Sequence, residues 1–294
     1  MQEMLLLPEG FGFTTLDALR VSQVSSIVVG VLLSQVEYFE KLGRCEMREN
    51  YYLEYIFTKF NSGVLMDYKI SVKNCPLINV IQTSMIVYAP KMFRNLALQD
   101  GLTDIDKSFD LEANYENMFK IVQAEGGKSG EFFFFTTDCK YILKTLNNEE
   151  LNLLIDNLEI FYQYYTSNPN SMLTKVYGLY TFRGKQMQRT YHVMLMKNII
   201  GCKRDCVDRL YDMKGSSHDR QVIRPNKLYK YHELRSMTLK DLDFKKLEGC
   251  LNIDREAAAQ LHKSLRLDSL FLKNLNLIDY SLLVAKVIHS LMQV

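Results

Sequence analysis

The sequence has few features of a secreted, disulfide-bonded or membrane-spanning protein. Its six cysteines form no C-x-x-C pair, and their irregular spacing favours reduced, buried thiols over a disulfide framework. No basic segment precedes the first apolar residues, so no secretory signal is expected. Residues 21–36 carry no charge but contain several serines and glutamines, and the segment is short for a bilayer. We interpret it as a buried or partner-packing helix.

The net charge is close to zero, but the charged residues are unevenly distributed along the chain. The 294 residues carry 36 Lys and Arg against 34 Asp and Glu, a net charge of +2. Residues 197–246 hold thirteen of these cations and seven of the anions, a local excess of six. The excess is typical either of a solvated face or of a surface for phosphorylated ligands and anionic lipid, with Lys203, Arg204, Arg220 and Arg224 as candidate cations. The low net charge and the lack of a known motif argue against nucleic acid as a partner.

The hydrophobic pattern predicts helices and strands after an N-terminal extension, residues 1–67, that is expected to be mainly helical. Pro90 is suited to the first turn of a helix. Strand patterns begin near Met118. The remaining predicted elements are three strands ending near residue 146, a helix over 148–165, strands over 175–182 and 188–196, and a long helix from Asp254 to about Asn276.

A glycine-rich segment, residues 126–130, lies between the first two of these three strands, and Lys144 lies on the third. Glycine lets backbone N–H groups approach a phosphate, and a lysine on a neighbouring strand can reach the phosphate oxygens. An ordinary turn with a solvated lysine would give the same pattern. A Walker-type loop is excluded because Val122 stands where that motif needs glycine and no helix follows. A protein kinase is disfavoured because H-R-D and D-F-G are absent.

Several segments together resemble the phosphatidylinositol phosphate kinase family, in particular phosphatidylinositol 4-phosphate 5-kinases. The resemblance covers residues 85–284. Its motifs are Tyr88-Ala89-Pro90-Lys91, Ile142-Leu143-Lys144-Thr145, Asn168-Pro169-Asn170, Tyr211-Asp212-Met213-Lys214-Gly215-Ser216, Lys240-Asp241-Leu242-Asp243-Phe244 and Ile278-Asp279-Tyr280-Ser281.

The resemblance implies an α+β, two-lobed lipid-kinase-like fold within residues 68–294. The small lobe, an antiparallel sheet plus a helix, would extend to about residue 197, and residues 198–294 would form an incomplete large lobe. The implied function is transfer of phosphate from ATP, with magnesium, to the inositol ring of a phosphatidylinositol monophosphate. It implies a cytoplasmic protein, peripheral on the inner face of the plasma membrane or of another membrane, with a phosphoinositide and an anionic surface as partners, and it allows a homodimer.

Residue roles follow from the same resemblance. Binding of ATP would involve Gly127, Ser129, Gly130, Lys144, Glu150 as the ion-pair partner of Lys144, and the hinge residues Met196 and Asn198. Phosphoryl transfer would involve Asp212, Lys214, Lys144 and Asp279, the last at the substrate hydroxyl. For Glu150, Asp212, Lys214 and Asp279 the alternative is an ordinary role in a helix start or a turn.

The chain also differs from the family pattern in two ways that affect the expected activity. Lys197 replaces the first of two hinge asparagines. The second metal-binding aspartate and the activation loop of the family are expected downstream of residue 294, so no metal ligand is assigned in the chain. The alternative function is therefore a catalytically inactive scaffold that binds a phosphoinositide or a partner. Apolar surface that a longer large lobe would cover is expected to promote association.

Overall fold

The computed structural model divides into two compact units, which are described separately. Unit 1 comprises residues up to Ser167 together with Thr174–Ile199, and unit 2 comprises Asn168–Leu173 together with Ile200 onwards. The structure describes residues 23–24, 27–28, 30–32, 35, 55–57, 83–110, 113–114, 117, 132–184, 189–224 and 226–288. The predicted strand before residue 126 and the glycine-rich segment lie outside this set.

Unit 1 is built on an antiparallel sheet. Its described strands are β1 (Tyr55–Phe57), β2 (Thr83–Tyr88), β3 (Phe133–Phe135), β4 (Tyr141–Leu146), β5 (Val176–Gly184) and β6 (Tyr191–Lys197). Their order across the sheet is β1-β2-β5-β6-β4-β3. The α+β class and the antiparallel sheet with helices are confirmed. The sequence pattern did not predict β1 and β2, which pair with each other and join the sheet through β5.

Helices of unit 1 lie between the strands in the chain. After β2 come α1 (Pro90–Gln99) and α2 (Ile105–Ser108), and after β4 come α3 (Asn148–Asp156) and α4 (Leu158–Ser167). The prediction of a single helix over 148–165 is wrong, because the helix is interrupted at Asn157 and two helices form instead. There the Asn157 side chain donates to the Leu153 carbonyl at 2.8 Å, a local bond that competes with helix continuation. The apolar sides of α1, α3 and α4 pack on the sheet in one core, formed by Ala89, Phe93, Leu146, Leu151, Leu158 and Leu179.

The charge-free segment near the N-terminus contributes to the core of unit 1. Its described residues are helical, and Val24, Ile27, Val28 and Val31 are buried. Gln35 Nε2 donates to the Tyr180 hydroxyl on β5 at 2.9 Å. The predicted buried helix is thus present, and no helix among the described residues is long and apolar enough to cross a bilayer.

Unit 2 has a smaller sheet in the order β8-β7-β9. The strands are β7 (Val207–Met213), β8 (Thr238–Leu239) and β9 (Leu282–Val287), with β7 parallel to β8 and antiparallel to β9. The helices are α5 (Tyr231–Ser236), α6 (Asp241–Leu247) and α7 (Arg255–Asn274), and Arg204–Cys206 form a 3-10 turn. Tyr211, Ile223 and Leu239 form the core.

Helix α7 begins and ends as the sequence predicts. The Asp254 side chain accepts from the Ala257 N–H at 2.8 Å, the contact that favours aspartate as an N-cap. At the other end Asn276 has a φ of 54°, and the Leu277 N–H bonds the Leu272 carbonyl at 3.0 Å. This is the left-handed turn that commonly stops a helix. The two-lobed arrangement stays a prediction.

A buried carboxylate on α7 holds the segment 168–173 to unit 2. Asp268 is 4% exposed and accepts from Ser171 Oγ and from the Met172 N–H, both at 2.7 Å. We expect Asp268→Ala to lower the free energy of unfolding of unit 2 by about 2–4 kcal/mol, because both donors lose a charged acceptor. Urea denaturation measures this. Lys263→Ala on the exposed side of α7 is the control, and a shift equal to that control would contradict the anchoring role.

Candidate functional site

One face of the unit 1 sheet carries Lys144 among apolar side chains. Lys144 on β4 lies opposite Phe133 on β3 and Met194 on β6. In the next row, Ile142 lies opposite Phe135 and Met196. Directly opposed residues of antiparallel strands point to the same face. Phe133 and Phe135 are 50% and 46% exposed, so this face offers an accessible apolar surface beside one ammonium group.

The predicted pair of Lys144 and Glu150 is in contact. Lys144 Nζ lies 2.9 Å from Glu150 Oε1. Glu150 also completes a capping box at the start of α3: its Oε2 accepts from the Asn147 N–H at 2.9 Å, and its own N–H donates to Asn147 Oδ1 at 2.8 Å. A single carboxylate therefore fixes both the helix start and the ammonium on the neighbouring strand.

The pKa of Glu150 reports this contact. Burial alone would raise the pKa, but hydrogen bonds from Lys144 and from the Asn147 N–H outweigh burial and hold it below its usual value. A lowered pKa in the folded state stabilises the fold above the ordinary carboxylate range and loses that contribution as the pH falls through the folded pKa. We expect an NMR titration to give Glu150 a pKa below the ordinary glutamate value, and Lys144→Met to raise that pKa. An unchanged pKa in that variant would contradict the pairing.

The predicted hinge residues are Met196, near the end of β6, and Asn198, the first residue after that strand. Asn198 is buried, its N–H donates to the Lys140 carbonyl at 2.8 Å, and its Nδ2 donates to the Cys139 carbonyl at 2.7 Å. Asn198 therefore ties the end of β6 to the turn between β3 and β4. The Lys197 N–H bonds the Lys175 carbonyl at 3.2 Å. Adenine recognition at these positions stays a prediction, and Gly127, Ser129 and Gly130 lie outside the described residues.

Unit 2 brings Lys214 and Asp279 together. Lys214 follows the end of β7 and Asp279 precedes β9, and these strands pair so that Met213 lies opposite Leu282. Lys214 Nζ donates to Asp279 Oδ1. This bond lowers the pKa of Asp279, so its carboxylate is ionised at neutral pH. Asp279 has a φ of 64°, an uncommon conformation that aspartate tolerates better than most residues.

Two residues whose roles the sequence did not predict organise the turn around Lys214. Asp241, the first residue of α6, accepts from the N–H groups of Lys214 and Gly215 at 3.0 and 2.8 Å, and from Arg220 Nε at 2.7 Å. Burial would raise the pKa of Asp241, but these bonds outweigh burial and lower it. The sequence identifies residues 240–244 as a motif of the family but predicts no role for Asp241.

Arg220 was wrongly predicted to be a surface cation. Its side chain is only 9% exposed, and besides Asp241 it contacts Asp212 through the backbone carbonyl and, at 3.5 Å, through Oδ2. Asp243 supports the same loop, because its carboxylate accepts from the Val222 and Ile223 N–H groups at 2.9 and 3.0 Å. The segment's composition could not indicate this burial, since it does not show that Arg220 packs between Asp212 and Asp241.

Asp212 has one carboxylate oxygen available to a cation. Oδ1 is buried, and no group in the described part of the chain hydrogen-bonds to it. Magnesium at phosphoryl-transfer sites takes one or two carboxylates together with phosphate oxygens and water. Asp212 fits that role as a single protein ligand, and no group of three or more metal-ligating side chains occurs within the described ranges.

Comparison with known proteins agrees with these observations. The family model for phosphatidylinositol-4-phosphate 5-kinase matches residues 114–293. A probable phosphatidylinositol phosphate kinase of Dictyostelium discoideum is 32% identical over 200 residues, which are 67% of this chain and 27% of that protein. Phosphatidylinositol 4-phosphate 5-kinase 1 of Arabidopsis thaliana is 31% identical over 198 residues, covering 67% of this chain and 25% of that protein.

The type-1 beta phosphatidylinositol 4-phosphate 5-kinase of Mus musculus is also 31% identical over 198 residues, and the match covers 67% of this chain and 34% of that kinase. The aligned region thus spans about a quarter to a third of the length of these relatives. Because the family model covers more than half of the sequence, the chain belongs to the phosphatidylinositol-4-phosphate 5-kinase family.

Proposed function

We propose that this chain transfers the γ-phosphoryl group of ATP to the inositol ring of a phosphatidylinositol monophosphate. The observation that carries the proposal is the Lys144–Glu150 pair beside an accessible apolar face of the unit 1 sheet. Kinases hold ATP phosphates with a strand lysine whose ammonium pairs with a carboxylate on a helix of the small lobe. In this chain the carboxylate is Glu150 on α3.

In the proposed complex, unit 1 binds the nucleotide. The adenine ring packs on the apolar side chains of Ile142 and Met196, and Lys144 Nζ contacts the phosphates. We expect backbone N–H groups of Gly127, Ser129 and Gly130, which lie outside the described residues, to bind those phosphates. Glu150 prevents Lys144 from turning into solvent before ATP binds, so less conformational entropy is lost on binding.

Unit 2 supplies the groups for the lipid. Asp279 is ionised, so it accepts a hydrogen bond from the attacking inositol hydroxyl and orients that oxygen. Lys214, held by Asp279, would neutralise phosphate charge. Magnesium, when bound, would supply positive charge against the charge that develops on the phosphates. Asp212 would hold it through Oδ1.

A basic loop of unit 2 suits the surface of an anionic membrane, on the cytoplasmic side. Residues 220–232 contain no acidic side chain, and Arg224, Lys227 and Lys230 are exposed. Leu228, between the two lysines, is 98% exposed. The next residue, Tyr229, packs against the core of unit 2. An apolar tip flanked by cations inserts its side chain into the bilayer interface while the cations contact lipid headgroups.

We expect Leu228→Ser to weaken binding to vesicles of phosphatidylcholine and phosphatidylserine about 10- to 100-fold, because burial of one leucine side chain contributes about 1.5–3 kcal/mol. Co-sedimentation at fixed salt measures the affinity. Leu251→Ser, a change in an exposed loop leucine without adjacent lysines, is the control. Equal affinities for the two variants would contradict insertion at Leu228.

The experiment that tests the proposed reaction uses γ-labelled ATP, magnesium and vesicles that contain phosphatidylinositol, phosphatidylinositol 4-phosphate or neither. Label is expected in the lipid extract of the monophosphate vesicles. ATP and vesicle binding without any labelled lipid would overturn the proposal and favour the scaffold function. A homodimer is a further prediction that sedimentation of the same sample tests.

A further inference from the structure

We propose that His192 is a positioning residue for the nucleotide site: its neutral imidazole anchors the first turn of α3, which carries Glu150, to the sheet that carries Lys144. The inference rests on the proposed function of Lys144 and extends it to a side chain that contacts neither ATP nor lipid. His192 is 8% exposed on β6, in the row formed with Leu146 of β4 and Thr181 of β5.

Both imidazole nitrogens have partners. Nε2 lies 2.8 Å from Asn148 Oδ1, and Nδ1 lies 2.8 Å from Thr181 Oγ1. An amide oxygen only accepts, so Nε2 carries the hydrogen. In a neutral ring Nδ1 then accepts from the Thr181 hydroxyl, which is itself 2.9 Å from the Tyr88 hydroxyl. The chain of bonds runs from Tyr88 on β2 through Thr181 and His192 to Asn148 on α3.

The surroundings of His192 favour this neutral tautomer. Burial, and next the positive charge of Arg183 on β5, lower the pKa of His192. The groups that contact the two nitrogens from α3 and β5 are an amide and a hydroxyl, and neither offers a negative charge to a protonated ring. Nε2 donates to the Asn148 amide oxygen in the neutral and in the protonated ring, whereas the bond that Nδ1 accepts from Thr181 requires the neutral ring.

The hydrogen bond between His192 and Asn148 fixes the direction of α3, which the capping box does not. Asn147 and Glu150 bind each other and define where α3 begins, but these contacts are local and do not fix the direction in which the helix leaves β4. Asn148 is the first residue of α3, and its bond to His192 ties the first turn of this helix to β6. Strand β6 pairs with β4, the strand that precedes α3. With the first turn held in this way, Glu150 Oε1 is kept within 2.9 Å of Lys144 Nζ.

Three variants of the full chain test the inference. His192→Ala removes the anchor. His192→Gln retains an N–H that can donate to Asn148. Leu96→Ala on α1 removes a buried core side chain of unit 1 and controls for a general loss of stability. Hydrogen exchange of the amides in residues 148–152 and the Kd for a non-hydrolysable ATP analogue are measured for each.

For His192→Ala we expect exchange at 148–152 to accelerate about tenfold and the Kd to rise about 5- to 10-fold, with most of both effects reversed in His192→Gln. In Leu96→Ala, exchange at residues 148–152 should accelerate no more than exchange in the rest of unit 1, and the Kd should change no more than this general loss of stability explains. Wild-type exchange in His192→Ala, or an equal acceleration in Leu96→Ala, would overturn the inference. Failure of the wild-type chain to bind nucleotide would refute the proposed function, whereas the exchange rates would still decide the role of His192.

Discussion

Replacing Lys144 with methionine is expected to lower kcat/KM for ATP at least about 100-fold while the fold remains intact. Methionine keeps the unbranched apolar stem that packs beside Met194 and Phe133 but removes the ammonium. Contacts to charge that develops during phosphoryl transfer are typically worth a factor of this size. The loss should appear in KM for ATP as well as in kcat, because Lys144 contacts the phosphates both in bound ATP and during transfer.

The matched control is Lys140→Met, a change four residues earlier at the start of the same β-ribbon. The Lys140 side chain is 60% exposed and lies 3.8 Å from Asp138 in a surface ion pair, which contributes little. Activity within about twofold of the wild type is expected for it. Similar losses in the two lysine variants would assign the effect to net charge and contradict a specific phosphate contact. Steady-state kinetics with the monophosphate lipid provides the measurement.

Asp241→Asn is expected to lower kcat about 10- to 100-fold and to leave the Kd for ATP nearly unchanged. Asparagine has the same shape, but its amide nitrogen cannot accept a bond, so either the two N–H groups of Lys214 and Gly215 or the Arg220 guanidinium loses its acceptor. The turn that carries Lys214 is then no longer fixed, and Arg220 loses its carboxylate partner beside Asp212. Only the transfer step depends on these groups.

The control is Asp219→Asn in the same loop. The Asp219 side chain is 92% exposed and lies 3.5 Å from the similarly exposed His218 ring, and asparagine tolerates the Asp219 φ of 54°. We expect unchanged kinetics. Isothermal titration with ATP separates binding from turnover, and a Kd that rises in parallel with the loss of kcat in Asp241→Asn would contradict a role confined to unit 2.

The features predicted correctly from sequence are mostly those with short-range causes. The Lys144–Glu150 pair, which the family resemblance implied, spans six residues and joins a strand to the capped helix that follows it at once. The Asp254 cap is equally local. By contrast, β2 was missed because it joins the sheet through β5, far along the chain, and its apolar sequence has no clear alternation. The break at Asn157 arises from one side-chain bond within an otherwise continuous helical pattern.

The unit 2 cluster shows a second reason for failure. Family resemblance indicated Asp212, Lys214 and Asp279, but the contact between Lys214 and Asp279 exists only because β7 pairs with β9. Arg220 was interpreted as a surface cation because the composition of a segment reports charge and not burial. Its partners, Asp212 and Asp241, lie on a strand and a helix on either side of it in sequence. Charge pairing of this kind needs tertiary structure to be recognised.

The most direct test of the central claim is differential acylation of lysines in the wild-type chain, followed by mass spectrometry, with and without saturating MgATP. If Lys144 contacts the phosphates, its modification should fall at least about tenfold when nucleotide is present, while Lys140 should react equally in both samples and serve as the internal reference. Equal modification of Lys144 with and without nucleotide would contradict the account.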